Sequence, residues 1–397
     1  MHSVIIVEQE LEQSVRGYAQ ILDTANGNTE VSQALLKYFN DAKTQITDKK
    51  ALAEAVLASA STANLGQLPD KEFEPTYNLV LYILTQLVGP VETLLEQYPQ
   101  ILTNLVASNP TQQPSLRDRK SIKSTTILSL LNNVFNLLPE QSAKRVVVLN
   151  KILEVVAQSG LDFQLISGSI GDNLVSWLSA AGASEQDIKS TFWRFVSLDS
   201  ASSLKTLQLI KTFTQEHTIS AQELNQLIEF ALESEVVDVS FLVNHNVAHA
   251  IKSHAASDDF VQLFDRYTNG ELLVQSSLVS PQLIAKSQIL ALAKFFATST
   301  QSIFQYKDIP AELASSSVEL ETLLINAIKS GVIEGKLNQL TETFYLTRAN
   351  RFVLAGADNS QNWDNVQAAL NEWKQSLHNI NEIVNTTREN IVKDNQS

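Results

Sequence analysis

Cysteine is absent from all 397 residues, which excludes a disulfide framework, a thiolate metal site and a cysteine nucleophile together. Glycine and proline are scarce, at 12 and 9 residues. These residues punctuate turns and break helices, so their scarcity calls for long helices joined by short loops. No stretch approaches 18 uncharged apolar residues, so no membrane span is expected. The N-terminal apolar run Val4 to Val7 is followed at once by Glu8, Glu10 and Glu12, a poor signal sequence. A soluble, cytoplasmic protein is the expectation. Basic residues are outnumbered, 29 against 43, leaving a formal charge of −14. Such a chain repels phosphate backbones as a whole, and any RNA contact is expected to be weak or indirect.

What the sequence does contain is helical periodicity. From about Leu35 to about Ala297 apolar residues recur at i, i+3, i+4 and i+7, as in Ile127, Leu130, Leu131, Val134, Leu137 and Leu138, or Leu204, Leu207, Ile210 and Phe213. Breaks fall at Gly66 to Pro69, Gly89-Pro90, Asn109-Pro110 to Pro114, Leu138-Pro139, Gly160, Ala181-Gly182 and Gly270. The intervals fit one or two helices each, the signature of helix pairs stacked as a solenoid. The polar segment Ser108 to Lys120 reads as a surface linker.

After Pro281 the pattern changes. A helix over about 282–297 leads into Ser302 to Ile309, where alternation predicts a short strand. Pro310 is expected to open a brief helix. Ser316 and Glu319 form a capping box for the next helix, which Gly331 stops. Two β-biased stretches around a turn complete the order helix, strand, helix, helix, hairpin, that of a winged-helix domain.

The last element has the most informative spacing. Trp363, Val366, Leu370, Trp373, Leu377, Ile380 and Val384 step by 3 and 4 in alternation, an a/d seam held for three heptads. A narrow apolar seam needs facing helices to cover it, and helices of other chains are the expected partners.

Catalytic and ligand motifs are incomplete. His245 and His249 stand at i and i+4 as in zinc peptidases, but Asn246 occupies the position of the general-base glutamate. Gly331 to Lys336 is one residue short of a phosphate loop and ends in Leu337 where Ser or Thr would hold magnesium. Gly168 to Gly171 lacks the register of a nucleophile elbow. The carboxylate pairs Glu319 with Glu321 and Asp258 with Asp259 read as solvated capping charges at helix N-termini. In the winged helix, Glu319 and Glu321 open the helix that would enter a major groove, which disfavours DNA readout. Lys336, Arg348 and Arg351 on the hairpin are too few to define an RNA site. No metal, cofactor or catalytic residue is therefore expected.

The runs Ser129–Gly160, Gly171–Val196, Leu320–Val353 and Trp363–Ile380 resemble the PCI-domain family, whose members build the proteasome lid, the signalosome and eukaryotic translation initiation factor 3. Within it the chain looks most like the initiation-factor branch, over about residues 70–385. The resemblance implies an all-α fold: a helical-repeat (solenoid) array, a small winged-helix domain and a C-terminal helix. The corresponding division is an N-terminal helical segment over 1–68, a helical-repeat domain over 69–200, a PCI domain over 201–357 and a C-terminal bundle helix and tail over 358–397. It also implies a non-catalytic scaffold, joined to other PCI-domain subunits through the winged helix and terminal helix, and reaching the small ribosomal subunit through the complex. The alternatives are an equivalent scaffold in the signalosome or proteasome lid and, from a different class, a peptide hydrolase using His245 and His249.

Overall fold

The computed structural model describes residues 10–39, 46–112, 114–115, 118, 120–254, 258–275, 279–299, 301–350 and 360–394. The chain divides into two compact units, Met1–Ser200 and Ala201–Ser397.

The first unit is helical: α1 Leu11–Asn26, α2 Glu30–Leu36, α3 Lys49–Ser59, α4 Thr62–Leu65, α5 Asp70–Val88, α6 Val91–Gln97, α7 Gln100–Ala107, α8 Ser124–Leu137, α9 Lys144–Ser159, α10 Gln164–Ser167, α11 Leu174–Ala180 and α12 Glu185–Val196. Local chemistry sets the ends. Asp48 accepts the backbone N–H groups of Lys50 and Ala51 at the start of α3, and Ser184 accepts that of Asp187 at the start of α12, satisfying donors that have no partner inside the helix. Asp23, buried on α1, caps α2 from outside, with Val31 N at 3.0 Å and Ser32 N at 3.1 Å.

A ladder of polar contacts defines the stacking. Asp70 accepts from Lys123 N at 2.9 Å and from Thr126 Oγ1 at 2.7 Å. One turn on, Ser129 donates to Glu74 at 2.8 Å, and one turn further Asn133 donates to Asn78 at 3.5 Å. Both partners advance in the same direction, so α5 and α8 run parallel, as equivalent helices of successive repeats do. On their apolar faces Phe73, Val80 and Leu84 of α5 and Ile127, Leu130, Leu131 and Val134 of α8 are buried, each contributing about 1.5–3 kcal/mol relative to exposure. Two expected core members, Leu137 and Leu204, lie at helix ends and are exposed. Helices on both sides of the Ser108 to Lys120 segment thus pack on one another. Gln113, Leu116, Arg117 and Arg119 of that segment lie outside the described residues.

The second unit continues the helical pattern with α13 Leu204–Glu216, α14 Ala221–Glu233, α15 His245–His254, α16 Asp259–Thr268 and α17 Pro281–Thr298. It then adds strand β1 Ile303–Gln305, α18 Ser317–Lys329, β2 Ile333–Asn338, β3 Thr343–Ala349 and α19 Ser360–Asp394. Two lysines on α17 tie the winged helix to the preceding helices. Lys286 Nζ donates to Leu232 O at 2.9 Å and Ser234 O at 2.7 Å, at the C-terminus of α14. Lys294 Nζ donates to Asn269 O at 2.7 Å, just past the end of α16. An ammonium suits the negative end of a helix and satisfies its last carbonyls.

The sheet has the antiparallel order β1-β3-β2. Its inner face closes on Phe295 and Phe296 of α17, with Phe296 ring centroids 4.8 Å from Phe304 and 5.3 Å from Phe344. Gly335 sits at a bulge in β2 where an added Cβ would meet the Phe344 ring and stand 2.5 Å from Tyr345 O. This glycine is a packing requirement, not half of a phosphate loop. Gly331 stops α18 at φ 72°, a left-handed position that costs residues with a Cβ.

Two local expectations are corrected. The strand from Ser302 ends at Gln305, because Asp308 accepts Gln305 N at 3.0 Å and folds 306–308 into a single 3-10 turn. The helix expected at Pro310 is only a turn closed by Leu313 N to Pro310 O at 3.0 Å. It stops there because Ser315 N is taken by Glu319 Oε2 at 3.0 Å.

Candidate protein-interaction surfaces

The helix α19 runs for 35 residues, about 52 Å at 1.5 Å per residue. All seven expected seam residues, Trp363, Val366, Leu370, Trp373, Leu377, Ile380 and Val384, fall on one face of it and all are exposed, from 39% at Val366 to 72% at Trp363. Ile383, which sequence reasoning left out, widens the strip at 65% exposed. Among the described residues nothing hides Trp363. A contiguous apolar strip with two tryptophans is rare on a protein surface and makes this face a candidate interaction surface. The side of the helix away from the strip is polar, with His378 and Glu382 paired at 3.4 Å.

The winged helix presents a second surface. Val318 and Ile325 of α18 are 70% and 43% exposed, and Val318 borders a groove of about 270 Å³ shared with Ala285, Gln288 and Ile289 of α17. The helix that would read a DNA major groove therefore offers apolar side chains rather than cations. Its two carboxylates have structural work. Glu319 accepts from Ser315 N and Oγ, bonds that hold its carboxyl below the usual range. Ser316 Oγ accepts Glu319 N at 3.3 Å, so the reciprocal half of the expected capping box lands one residue early. Glu321 is not a solvated cap: it accepts from Tyr306 Oη at 3.1 Å and Gln339 Nε2 at 3.0 Å, tying the 3-10 turn and the hairpin to α18. Burial and this carboxylate push the Tyr306 phenol up to about 12.

Arg348 pairs with Glu334 across the hairpin at 2.7 Å, Lys336 is exposed, and Arg351 lies outside the described residues. His245 and His249 are exposed on α15, and among the described residues no group of three His, Asp or Glu side chains gathers as a metal set would. Asn246, in the glutamate position, donates to Thr214 O at 2.9 Å and His217 O at 3.3 Å, closing the C-terminus of α13. Asp258 caps α16 through Phe260 N at 2.9 Å and accepts from Asn225 Nδ2 at 3.2 Å. No single described helix is long and apolar enough to cross a membrane.

No protein-family model matches the chain. Curated proteins do match. Eukaryotic translation initiation factor 3 subunit M of Aspergillus terreus is 26% identical over 369 residues, covering 85% of this chain and 76% of that protein. The Aspergillus clavatus protein of the same name is 23% identical across 99% of this chain and 87% of its own length. That of Phaeosphaeria nodorum is 24% identical across 99% and 91%. The chain is similar to the subunit M proteins over nearly its whole length. The similarity to subunit M extends through the solenoid, the winged helix and the terminal helix, so the helical array, three-stranded wing and C-terminal helix described above are features of a full-length match rather than of one shared module.

Proposed function

We propose that the chain is a non-catalytic scaffold subunit of the eukaryotic translation initiation factor 3 complex. In this reading it works in the cytoplasm, joins other PCI-domain subunits through its winged helix and α19, and supports initiation on the small ribosomal subunit through the assembled complex. It performs no turnover and uses no cofactor. It meets RNA weakly or through its partners, since the charge of −14 opposes condensation on phosphate.

The observation that carries the reading is the uncovered seam of α19 in a chain similar to subunit M. A strip built to be covered, on a chain whose catalytic motifs are incomplete, supports assembly rather than chemistry. Trp373 lies at its middle and is the expected anchor, because interface energy concentrates in central aromatics. Trp373→Ala with Leu377→Ala removes two large side chains worth about 1.5–3 kcal/mol each on burial, so affinity for partner subunits should fall at least a hundredfold. Pull-down from cells followed by mass spectrometry checks this, with circular dichroism as a control. Initiation-factor subunits should be recovered with the parent chain and lost with the double variant. Recovery of signalosome or proteasome-lid subunits instead, or undiminished recovery with the variant, would overturn the reading.

A further inference from the structure

The charges around the α19 seam are sorted by side. With Trp363, Leu370, Leu377 and Val384 at a and Val366, Trp373 and Ile380 at d, the e flank carries Gln367, Lys374, Asn381 and Arg388 and the g flank Ala369, Ser376 and Ile383. Neither flank holds an acid. The four acids of this stretch, Asp364, Glu372, Glu382 and Glu389, all fall at b, c or f on the opposite side, where Glu382 pairs with His378. This segregation occurs in a chain whose acids outnumber its bases 43 to 29. In a helical interface the e and g side chains set partner choice through charge.

We infer that the seam is shaped for an amphipathic helix of a different chain that carries glutamate or aspartate beside its apolar stripe. This rests on reading the seam as a docking surface. A second copy is a poor occupant. In a parallel pair the e residues would face uncharged g residues and gain nothing. In an antiparallel pair the two e flanks would face each other, Lys374 and Arg388 against the same residues of the second copy. An acid-flanked helix instead meets the two cations across a stripe that excludes water, while the outer acids keep the far side solvated.

The test uses the full-length chain and two designed amphipathic peptides of identical Leu/Ile a/d positions, one with Glu and one with Lys at every e and g position. Binding is read by fluorescence polarisation of the labelled peptide at low and high salt. Each exposed pair changes from attraction to repulsion between the two peptides, a factor of about threefold, so the two cations together give about tenfold. The Glu peptide should bind about tenfold more tightly at low salt, and the ratio should shrink at high salt. The K374E/R388E variant should reverse the order, and its gain of the Lys peptide shows that it is folded. Equal binding of the two peptides, or an unreversed order in the variant, would overturn the charge assignment while leaving the docking surface standing. Failure to bind either peptide would overturn both. Self-association of the parent chain at micromolar concentration in sedimentation, abolished by W373A/L377A, would assign the seam to a second copy and refute the inference.

Discussion

Replacing Lys286 by methionine tests how the winged helix is fastened to the helices before it. The residue is 5% exposed, its ammonium lies 6.0 Å from the centroid of Tyr267, and its two acceptors are the backbone carbonyls of Leu232 and Ser234. Methionine keeps the length and apolar contacts of the stem but leaves both carbonyls without this donor. Losing a partner for a buried polar group costs about 1–3 kcal/mol, partly offset because a buried charge also disappears. The expected result at pH 7.5 is a loss of about 1–3 kcal/mol, or about 2–10 °C in the melting temperature of a unit of this size.

The pH dependence separates these terms. Burial lowers the Lys286 amine from 10.5 to about 8, so between those values the unfolded chain holds a proton that the folded chain has released. Folding stability from this group therefore rises with pH across that window. The neutral amine still has two N–H donors for its two carbonyls. The gap between parent and Lys286→Met should accordingly widen, by about 1.5 kcal/mol between pH 8 and 9.5, the slope approaching about 1.4 kcal/mol per pH unit only in the middle of the window. Denaturant titrations of both proteins at pH 7.5, 8.5 and 9.5 measure it. A gap independent of pH would show that the ammonium remains solvated, and no gap at all would show that water replaces it without cost.

Gly335→Ala forces a methyl group against the Phe344 ring and Tyr345 O and should cost at least about 1–3 kcal/mol through overpacking; a scanning-calorimetry trace unchanged within error would refute the close approach. Asp70→Ala removes the acceptor of Lys123 N and Thr126 Oγ1 and should cost about 1–2 kcal/mol, with Asp70→Asn recovering most of it in denaturant melts.

Much of this was readable from residue order. The change of pattern after Pro281, the cap at Ser316 and the stop at Gly331 placed α17 and α18 because these residues act within a turn of where they stand. The seam was readable because its period needs no partner to be recognised. Several of the misses are matters of tertiary pairing. Lys286 and Lys294 look like ordinary members of an amphipathic helix until α14 and α16 bring carbonyls to them, and Glu321 looks like a solvated charge until Tyr306 and Gln339 meet it. The helix after Pro310 failed because Glu319 takes the N–H of Ser315. The bulge at Gly335 has no local signature beyond the glycine itself.

The uncovered strip on α19 also bears on how much of this chain a cell can tolerate. A monomer displaying Trp363, Leu370, Trp373 and Ile380 to water invites nonspecific association, and each molecule made in excess of its partners stays in that state. If the proposed role holds, synthesis matched to the partners, or removal of orphan copies by chaperones and proteases that recognise exposed apolar helices, is the expected consequence. In the proposed role, the strip that would secure a place in an assembly would also make an unassembled copy recognisable as surplus.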